Sequence, residues 1–171
     1  MKKVICCGII ICALTLCGCT GGLPMETVGD ILPESIPASQ LLNLYFEVPE
    51  DAIQAADAGE GVKVYEQREG KYTITQSTLS CGAEEAVKQL TGYAYAKLSP
   101  VKTRQSGMDR YDFVCTNAMD GGLYVCRGAV LTDGSRCYSL LMETPEQEAG
   151  KLQPCMDRVF GTIAFSEDEG F

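Results

Sequence analysis

The stretch from Arg110 to Met142 decides the fold: RYDFVCTNAMDGGLYVCRGAVLTDGSRCYSLLM. Its three alternating, largely apolar runs are typical of β-strands. Asp120-Gly121 and Asp133-Gly134 lie between the runs, and Asp-Gly in this setting is a strong signal of a two-residue hairpin turn. The stretch therefore predicts a three-stranded antiparallel meander, with strands at 110–117, 123–131 and 136–142.

Two predictions concern the chain just before position 60. The apolar run at 41–48, LLNLYFEV, is typical of a strand and is closed by Pro49. The alanine-rich segment at 51–58, DAIQAADA, favours a short helix.

A hairpin and a helix follow. The run at 62–67 and the run at 72–79 flank a turn at Glu69-Gly70, which predicts a hairpin. Apolar residues at helical spacing predict a helix over 83–98, with Ser80 as its N-cap.

The segment after the meander carries helix-start signals. Thr144, Pro145 and Gln147 have the spacing of a capping box with proline at the first helical position. They predict a helix that Pro154 interrupts or kinks. A final edge strand is predicted at 162–165.

Together these elements predict an α+β domain, an antiparallel sheet of about five or six strands with helices packed on its faces. From about Leu44 onward, their order resembles the PsbP-like fold, which is shared with the DcrB-type bacterial lipoproteins. The matching features are the opening strand closed by Pro49, the hairpin, the helix, the meander and the segment VFGTIAF at 159–165. Many members carry a Trp shortly after the opening proline, and this chain has none. The resemblance implies a binding or assembly accessory and transfers no catalytic residue.

The first nineteen residues have the features of a lipoprotein export signal. Lys2 and Lys3 precede fifteen uncharged residues at 4–18, a stretch shorter than the roughly 20 residues of a membrane span and typical of a signal peptide. Leu16-Cys17-Gly18-Cys19 resembles the bacterial lipobox, which implies acylation of the Cys19 thiol, for example with palmitate, and cleavage before it. Cys17 is a poorer candidate for the acylated cysteine, because the bulky Leu16 would then lie next to the peptide bond that is cleaved. The alternative is an uncleaved helix that ends near position 23.

These features divide the chain into four parts. The signal peptide covers residues 1–18. Residues 19–40 form a flexible tether, rich in Pro and Gly and without a basic residue, which is either a spacer from the membrane or an ordinary linker. A single α+β domain is predicted at 41–165, and an acidic tail at 166–171.

Composition excludes several classes of function. The chain has 171 residues, a net charge of -9 and no His. Without His there is no Ser-His-Asp triad, no Cys-His pair and no imidazole metal ligand. An acidic chain is a poor nucleic-acid binder. No motif indicates a cofactor, and we expect a protein that is not an enzyme.

The cysteines leave three interpretations open. If Asp120-Gly121 is the central pair of its turn, the numbers of two residues that face each other across the hairpin add up to 241. Cys115 then lies directly opposite Cys126. The same rule for Asp133-Gly134 places Val130 opposite Cys137, so the three thiols share one face of the sheet. They are buried and act as small apolar side chains, or Cys115 and Cys126 form a disulfide, or cysteines alone bind a metal, although the mature chain has no C-x-x-C spacing.

Four residues are candidate ligand-binding groups on the opposite face of the sheet. Asp112 and Arg127 are predicted to be diagonal neighbours, together with Arg136 and Tyr138. They form either a cationic pocket floor for an acidic or sugar ligand, or a solvated face of salt bridges of little energetic value.

The leading hypothesis is a non-enzymatic accessory lipoprotein of the bacterial cell envelope. A lipid on Cys19 would hold it on the extracytoplasmic face of the cell membrane, where its domain binds another envelope protein or a small ligand. The alternative is an envelope redox protein or enzyme that uses an exposed cysteine, for which Cys81 is the best placed. A third hypothesis is a purely structural or surface-antigen role.

Overall fold

The computed structural model describes residues 42–56, 58–119 and 121–167, which lie in one compact unit. Nine strands and three helices occur in these residues. In chain order they are β1 (Leu42–Tyr45), β2 (Ala52–Gln54), β3 (Val62–Gln67), β4 (Thr73–Leu79), α1 (Ala83–Thr91), α2 (Tyr95–Leu98), β5 (Val101–Gln105), β6 (Met108–Met119), β7 (Gly122–Thr132), β8 (Cys137–Pro145), α3 (Glu146–Gly161) and β9 (Ala164–Glu167).

Two antiparallel sheets make up the β-structure. The larger sheet has seven strands in the order β2-β3-β4-β8-β7-β6-β5, and β1 pairs with β9 in a separate two-stranded sheet. The sheet has more strands than the five or six expected, because β2 and β5 extend it at its two edges. The α+β class, with an antiparallel sheet and helices on its faces, is confirmed.

The meander predicted from the sequence is confirmed as β6, β7 and β8. Cys115 lies opposite Cys126, as the turn rule predicts. At the second turn the prediction is wrong by two residues, because Cys137 pairs with Thr132 and Val130 pairs with Ser139. The loop there is longer than two residues, and the Asp133 carboxylate accepts hydrogen bonds from the backbone N–H groups at positions 135 and 136. A shift of two keeps every side chain on its face, since side chains alternate with period two.

The two faces of the large sheet bury separate clusters. Helix α3 packs on one face through Met156, Val159 and Phe160. Helix α1 packs on the other through Ala86 and Val87. This second face contains Cys115, Cys126 and Cys137, as predicted, together with Phe113, Val130 and Leu141.

The helix predicted at 51–58 is wrong. Ala52, Ile53 and Gln54 form β2, which pairs with β3 at the edge of the large sheet. The opening strand is also shorter than predicted, since β1 ends at Tyr45. The backbone hydrogen-bond partners along the edge of β3 override the weak helical propensity of an alanine-rich segment.

The helix predicted over 83–98 is split into two. Gly92 adopts a left-handed conformation, with φ of 74°, and its N–H donates to the Lys88 carbonyl to end α1. The N-cap is Gly82 rather than Ser80. Strand β5 was not predicted at all, because VKTRQ is exposed and shows no apolar alternation.

Helix α3 begins without the predicted capping box. Pro145 occupies the N-cap position, and no side chain caps the helix. The Thr144 hydroxyl instead donates to the Lys71 carbonyl at 2.7 Å. The helix continues past Pro154 to Gly161, so of the two predicted effects, an interruption or a kink, the interruption does not occur.

The final strand is shifted relative to the prediction. It runs from Ala164 to Glu167, so the first two residues assigned to the acidic tail belong to β9. The signal peptide, Cys19, the tether at 19–40 and the remainder of the tail lie outside the described residues. Among the residues that the structure describes, no helix is long and apolar enough to cross a membrane.

Candidate functional site

An open groove lies where β5 begins and α3 passes over the edge of the large sheet. Its volume is about 460 Å³. We call it the α3 groove. Its lining includes Val101 of β5, Asp112, Val114 and Arg127 of the meander, and Gln153 and Asp157 of α3.

Arg127 provides the cationic part of the floor. Its Nη1 donates to Asp157 Oδ1 at 2.5 Å, and its guanidinium lies 4.9 Å from the centre of the Phe160 ring. Hydrogen bonds from Arg127 and Gln153 hold the pKa of Asp157 below its ordinary value. The guanidinium is therefore held in place by α3, with a quarter of its side chain still exposed.

Asp112 lies beside Arg127 but is paired elsewhere. Arg110 holds its carboxylate with two hydrogen bonds, of 2.8 Å from Nε and 2.7 Å from Nη2. The same guanidinium reaches the Gln105 side chain and the Phe160 carbonyl. This arrangement joins β5, β6 and the end of α3, and it leaves Asp112 little capacity to bind a cationic ligand.

The rim of the α3 groove is apolar. Val101 and Val114 are 63% and 61% exposed, among the most exposed large apolar side chains of the described chain. Beyond Asp112, the outer edge of β6 from Phe113 to Met119 pairs with no strand in the described residues. The groove thus opens onto a strand edge whose backbone is available for pairing, apart from the Thr116 carbonyl, which accepts the Tyr93 hydroxyl.

The four candidate ligand-binding residues do not form one site. Asp112 and Arg127 are diagonal neighbours, since Arg127 pairs with Val114, and both line the α3 groove. Tyr138 lies inside the core, only 1% exposed, and its hydroxyl accepts the Leu42 N–H at 3.3 Å. Arg136 lies in the loop between β7 and β8, six residues along the chain from Met142, the β8 partner of Arg127.

The structure leaves both interpretations of this face open. Asp112 and Arg127 are in ion pairs, yet they also line a cavity. Sequence reasoning missed Gln153, Asp157 and the exposed valines, because no pattern in the sequence showed that α3 packs beside β6.

The five cysteines within the described residues are free thiols. Cys115 and Cys126 are buried opposite each other. Burial raises the pKa of both thiols, and the Glu143 carboxylate, which accepts a hydrogen bond from Cys126 at 3.5 Å, raises that of Cys126 further. Within the described ranges, no group of His, Cys, Asp and Glu side chains is arranged to hold a metal ion.

Among the described cysteines, Cys81 remains the best candidate for a redox function. Burial raises the pKa of Cys137 and Cys155 as well, which suppresses the nucleophilic thiolate. Cys81 is half-buried and packs at the edge of the α1 cluster.

No protein-family profile matches the sequence, and a search of characterised proteins finds no match. Solved structures do match. CyanoP, the cyanobacterial PsbP of Synechocystis, is 12% identical with a TM-score of 0.51 over 77% of this chain and 98% of that protein. LpqN, involved in cell envelope biogenesis of Mycobacterium tuberculosis, is 12% identical with a TM-score of 0.50 over 76% of this chain and 87% of LpqN.

A protein from Bacteroides thetaiotaomicron is also 12% identical, with a TM-score of 0.50 over 75% of this chain and 46% of that protein. At these identities the likeness concerns the fold and carries no function. The chain has the α+β, PsbP-like fold that the order of its elements predicts.

Proposed function

We propose that this chain is an accessory lipoprotein of the bacterial cell envelope, anchored through Cys19 on the extracytoplasmic face, which binds an extended segment of another envelope protein at the α3 groove. This function is binding and involves no catalytic step. The absence of His from the whole sequence and the raised pKa values of the buried thiols support a binding function. The involvement of LpqN in envelope biogenesis supports the compartment.

One observation carries the binding site. The α3 groove joins exposed apolar side chains, an immobilised guanidinium and an unpaired strand edge in one place. Val101 and Val114 offer apolar contact area, and Arg127 with Asp157 offers polar contacts to a peptide backbone. An extended polypeptide can use all three, because it adds to a sheet edge through its backbone and places alternate side chains in pockets.

Photo-crosslinking tests the binding site. A photoreactive phenylalanine analogue is placed at Val101 or at Val114 of the full chain in its native membranes. The matched control carries it at Ile53, which is 52% exposed on β2 at the opposite edge of the same sheet. We expect a discrete protein adduct from the two groove positions and none from position 53.

Four outcomes would contradict the proposed binding of a partner protein at this site. Equal adducts from all three positions would indicate non-specific contact. The absence of any protein adduct would exclude a protein partner at the groove. An adduct that persists at full strength in Arg127→Ala would exclude a contribution from the guanidinium. If no protein adduct forms and a small ligand blocks photo-crosslinking at positions 101 and 114, the groove binds that ligand and not a partner protein.

Metabolic labelling with a palmitate analogue tests the anchor. We expect the label on the full chain, its loss in Cys19→Ala, and release of that variant from the membrane fraction. Cys17→Ala is the matched control and retains the label. Label on Cys19→Ala, or its loss only in Cys17→Ala, would show that the proposed lipidation site is wrong.

A further inference from the structure

Four thiols lie on the α1 side of the large sheet, and they form two pairs. Cys115 and Cys126 are opposite each other on β6 and β7. Cys81 and Cys137 meet at the start of β8. Cys155, the remaining cysteine of the described chain, packs in the cluster on the other face, so it has no thiol partner there.

The second pair is brought together by the end of β4. Leu79, the last residue of β4, lies directly opposite Cys137. The chain then turns towards α1, and Cys81 comes back over Cys137. The Cys137 thiol donates to the Cys81 carbonyl oxygen at 3.0 Å.

The two members of this pair differ in exposure. Cys137 is fully buried, whereas Cys81 is half-buried at the surface of the turn. An oxidant in solution can therefore reach Cys81 first. The Cys137 sulfur lies 3.0 Å from the Cys81 carbonyl oxygen, which places it to react next within the folded sheet.

We propose that Cys81 and Cys137 form a disulfide that joins the start of α1 to β8. The Cys81 thiolate attacks a disulfide oxidant and forms a mixed disulfide, which releases one thiol of the oxidant. The Cys137 thiolate then attacks the Cys81 sulfur and releases the second thiol. The two cysteines lose two protons and two electrons, and the oxidant gains both.

The cross-link would act on α1 and leave the α3 groove unchanged. It connects positions 56 residues apart in the chain. A disulfide that closes a loop of this length strongly reduces the conformational entropy of the unfolded chain. The cross-link lies over the cluster under α1, whereas Asp112, Arg127 and Asp157 of the α3 groove lie on the other side of the sheet. Phe113 and Leu98 are the lining residues that the groove shares with the α1 cluster. Oxidation should therefore raise the melting temperature without a change in binding at the groove.

Peptide mapping tests the proposal directly. The full chain is incubated with oxidised glutathione under native conditions, its remaining thiols are alkylated in denaturant at low pH, and it is digested with trypsin. Cleavage after Lys and Arg separates Cys81, in peptide 72–88, from Cys137, in peptide 137–151, while Cys115 and Cys126 share peptide 111–127. We expect peptides 72–88 and 137–151 to be covalently joined. A Cys115–Cys126 bond would instead appear within one peptide.

Variants separate the cross-link from a packing effect. Cys81→Ser should lose the joined peptides and the rise in melting temperature, which we expect to be on the order of 10 °C in the oxidised protein. Cys155→Ser is the matched control and keeps both. Cys137→Ala adds a second test if it folds. Separate alkylation of Cys81 and Cys137 after oxidation would overturn the proposal, as would a Cys81 cross-link to another chain or to Cys115.

Discussion

At the scale of single residues, Phe113 fits closely against Gly128 in the core. They are paired across β6 and β7, and the far end of the Phe113 ring lies over the glycine. A Cβ atom built at position 128 would lie only 2.2 Å from the Phe113 ring. The ring therefore occupies the space that a side chain would need.

The first prediction follows from this contact. We expect Gly128→Ala to lower the free energy of unfolding by about 1–3 kcal/mol, because Phe113 must leave its place in a packed core. Gly150→Ala is the control, since a Cβ there meets no atom within 4 Å, and a helical alanine should be neutral or stabilising by up to about 1 kcal/mol. Urea denaturation measures both. A Gly128→Ala protein as stable as the parent would contradict the packing described.

A second residue-scale feature is the hydrogen bond from the buried Tyr72 hydroxyl to the Asp51 carboxylate, at 2.5 Å. This bond, with a further one from Gln67, holds the pKa of Asp51 below its ordinary value of 3.8. The carboxylate is thus favoured in the folded chain. Its contribution to stability is complete above pH 3.8 and is lost as the pH falls through the lower pKa of the folded state.

The second prediction uses this pH dependence. Tyr72→Phe should lower the free energy of unfolding by about 1–2 kcal/mol near neutral pH. The difference from the parent should shrink as the pH is lowered below 3.8. Tyr45→Phe is the control, because Tyr45 is 52% exposed. A constant difference between parent and Tyr72→Phe across this pH range would show that the loss comes from packing and not from the Asp51 bond.

At the scale of elements, α3 shows how packing overrides a local signal. Pro154 lies inside this sixteen-residue helix and cannot donate a backbone hydrogen bond to the residue four positions before it. The helix nevertheless continues, because Met156, Val159 and Phe160, all after the proline, are buried against the sheet. Burial of these three side chains offsets the lost hydrogen bond.

The third prediction concerns this proline. We expect Pro154→Ala to raise the free energy of unfolding by about 1–3 kcal/mol, since the substitution restores a backbone N–H donor within a helix. Thermal unfolding followed by circular dichroism measures the change. A fall in the melting temperature would mean that Pro154 is required for the position of α3 on the sheet.

At the scale of the whole molecule, β1 and β9 bring together segments from near the two ends of the described chain. Leu42 pairs with Glu167, and Leu44 pairs with Phe165. Leu42 and Leu44 are buried in the cluster under α3. The small sheet is therefore part of the core rather than an appendage.

The fourth prediction places the end of the domain. A chain that stops after Phe165 lacks the partners of Leu42 and Asn43 in β9, so we expect a lower melting temperature than for a chain that stops after Glu167. Both proteins begin at residue 19. Equal melting temperatures would place the end of the stable domain at position 165, as the sequence pattern predicts.

The sequence by itself determined the elements whose signals are local. The Asp-Gly turns and the alternating runs predicted the meander, the facing of Cys115 and Cys126, and the face that the thiols share. Side-chain alternation and turn chemistry depend only on neighbours in the chain. For that reason the face assignment survived a two-residue error in the β7–β8 register.

Only the tertiary structure decided the edges and the site. Strands β2 and β5 form because an existing strand offers them hydrogen-bond partners, and their exposed sequences carry no signal of it. The α3 groove exists because α3 lies beside the exposed edge of β6, which brings Asp157 to Arg127 across 30 positions of the chain. Contacts between distant segments have no local pattern, so the sequence indicated Asp112 and Arg127 as a candidate pocket floor but not that α3 would line the pocket with them.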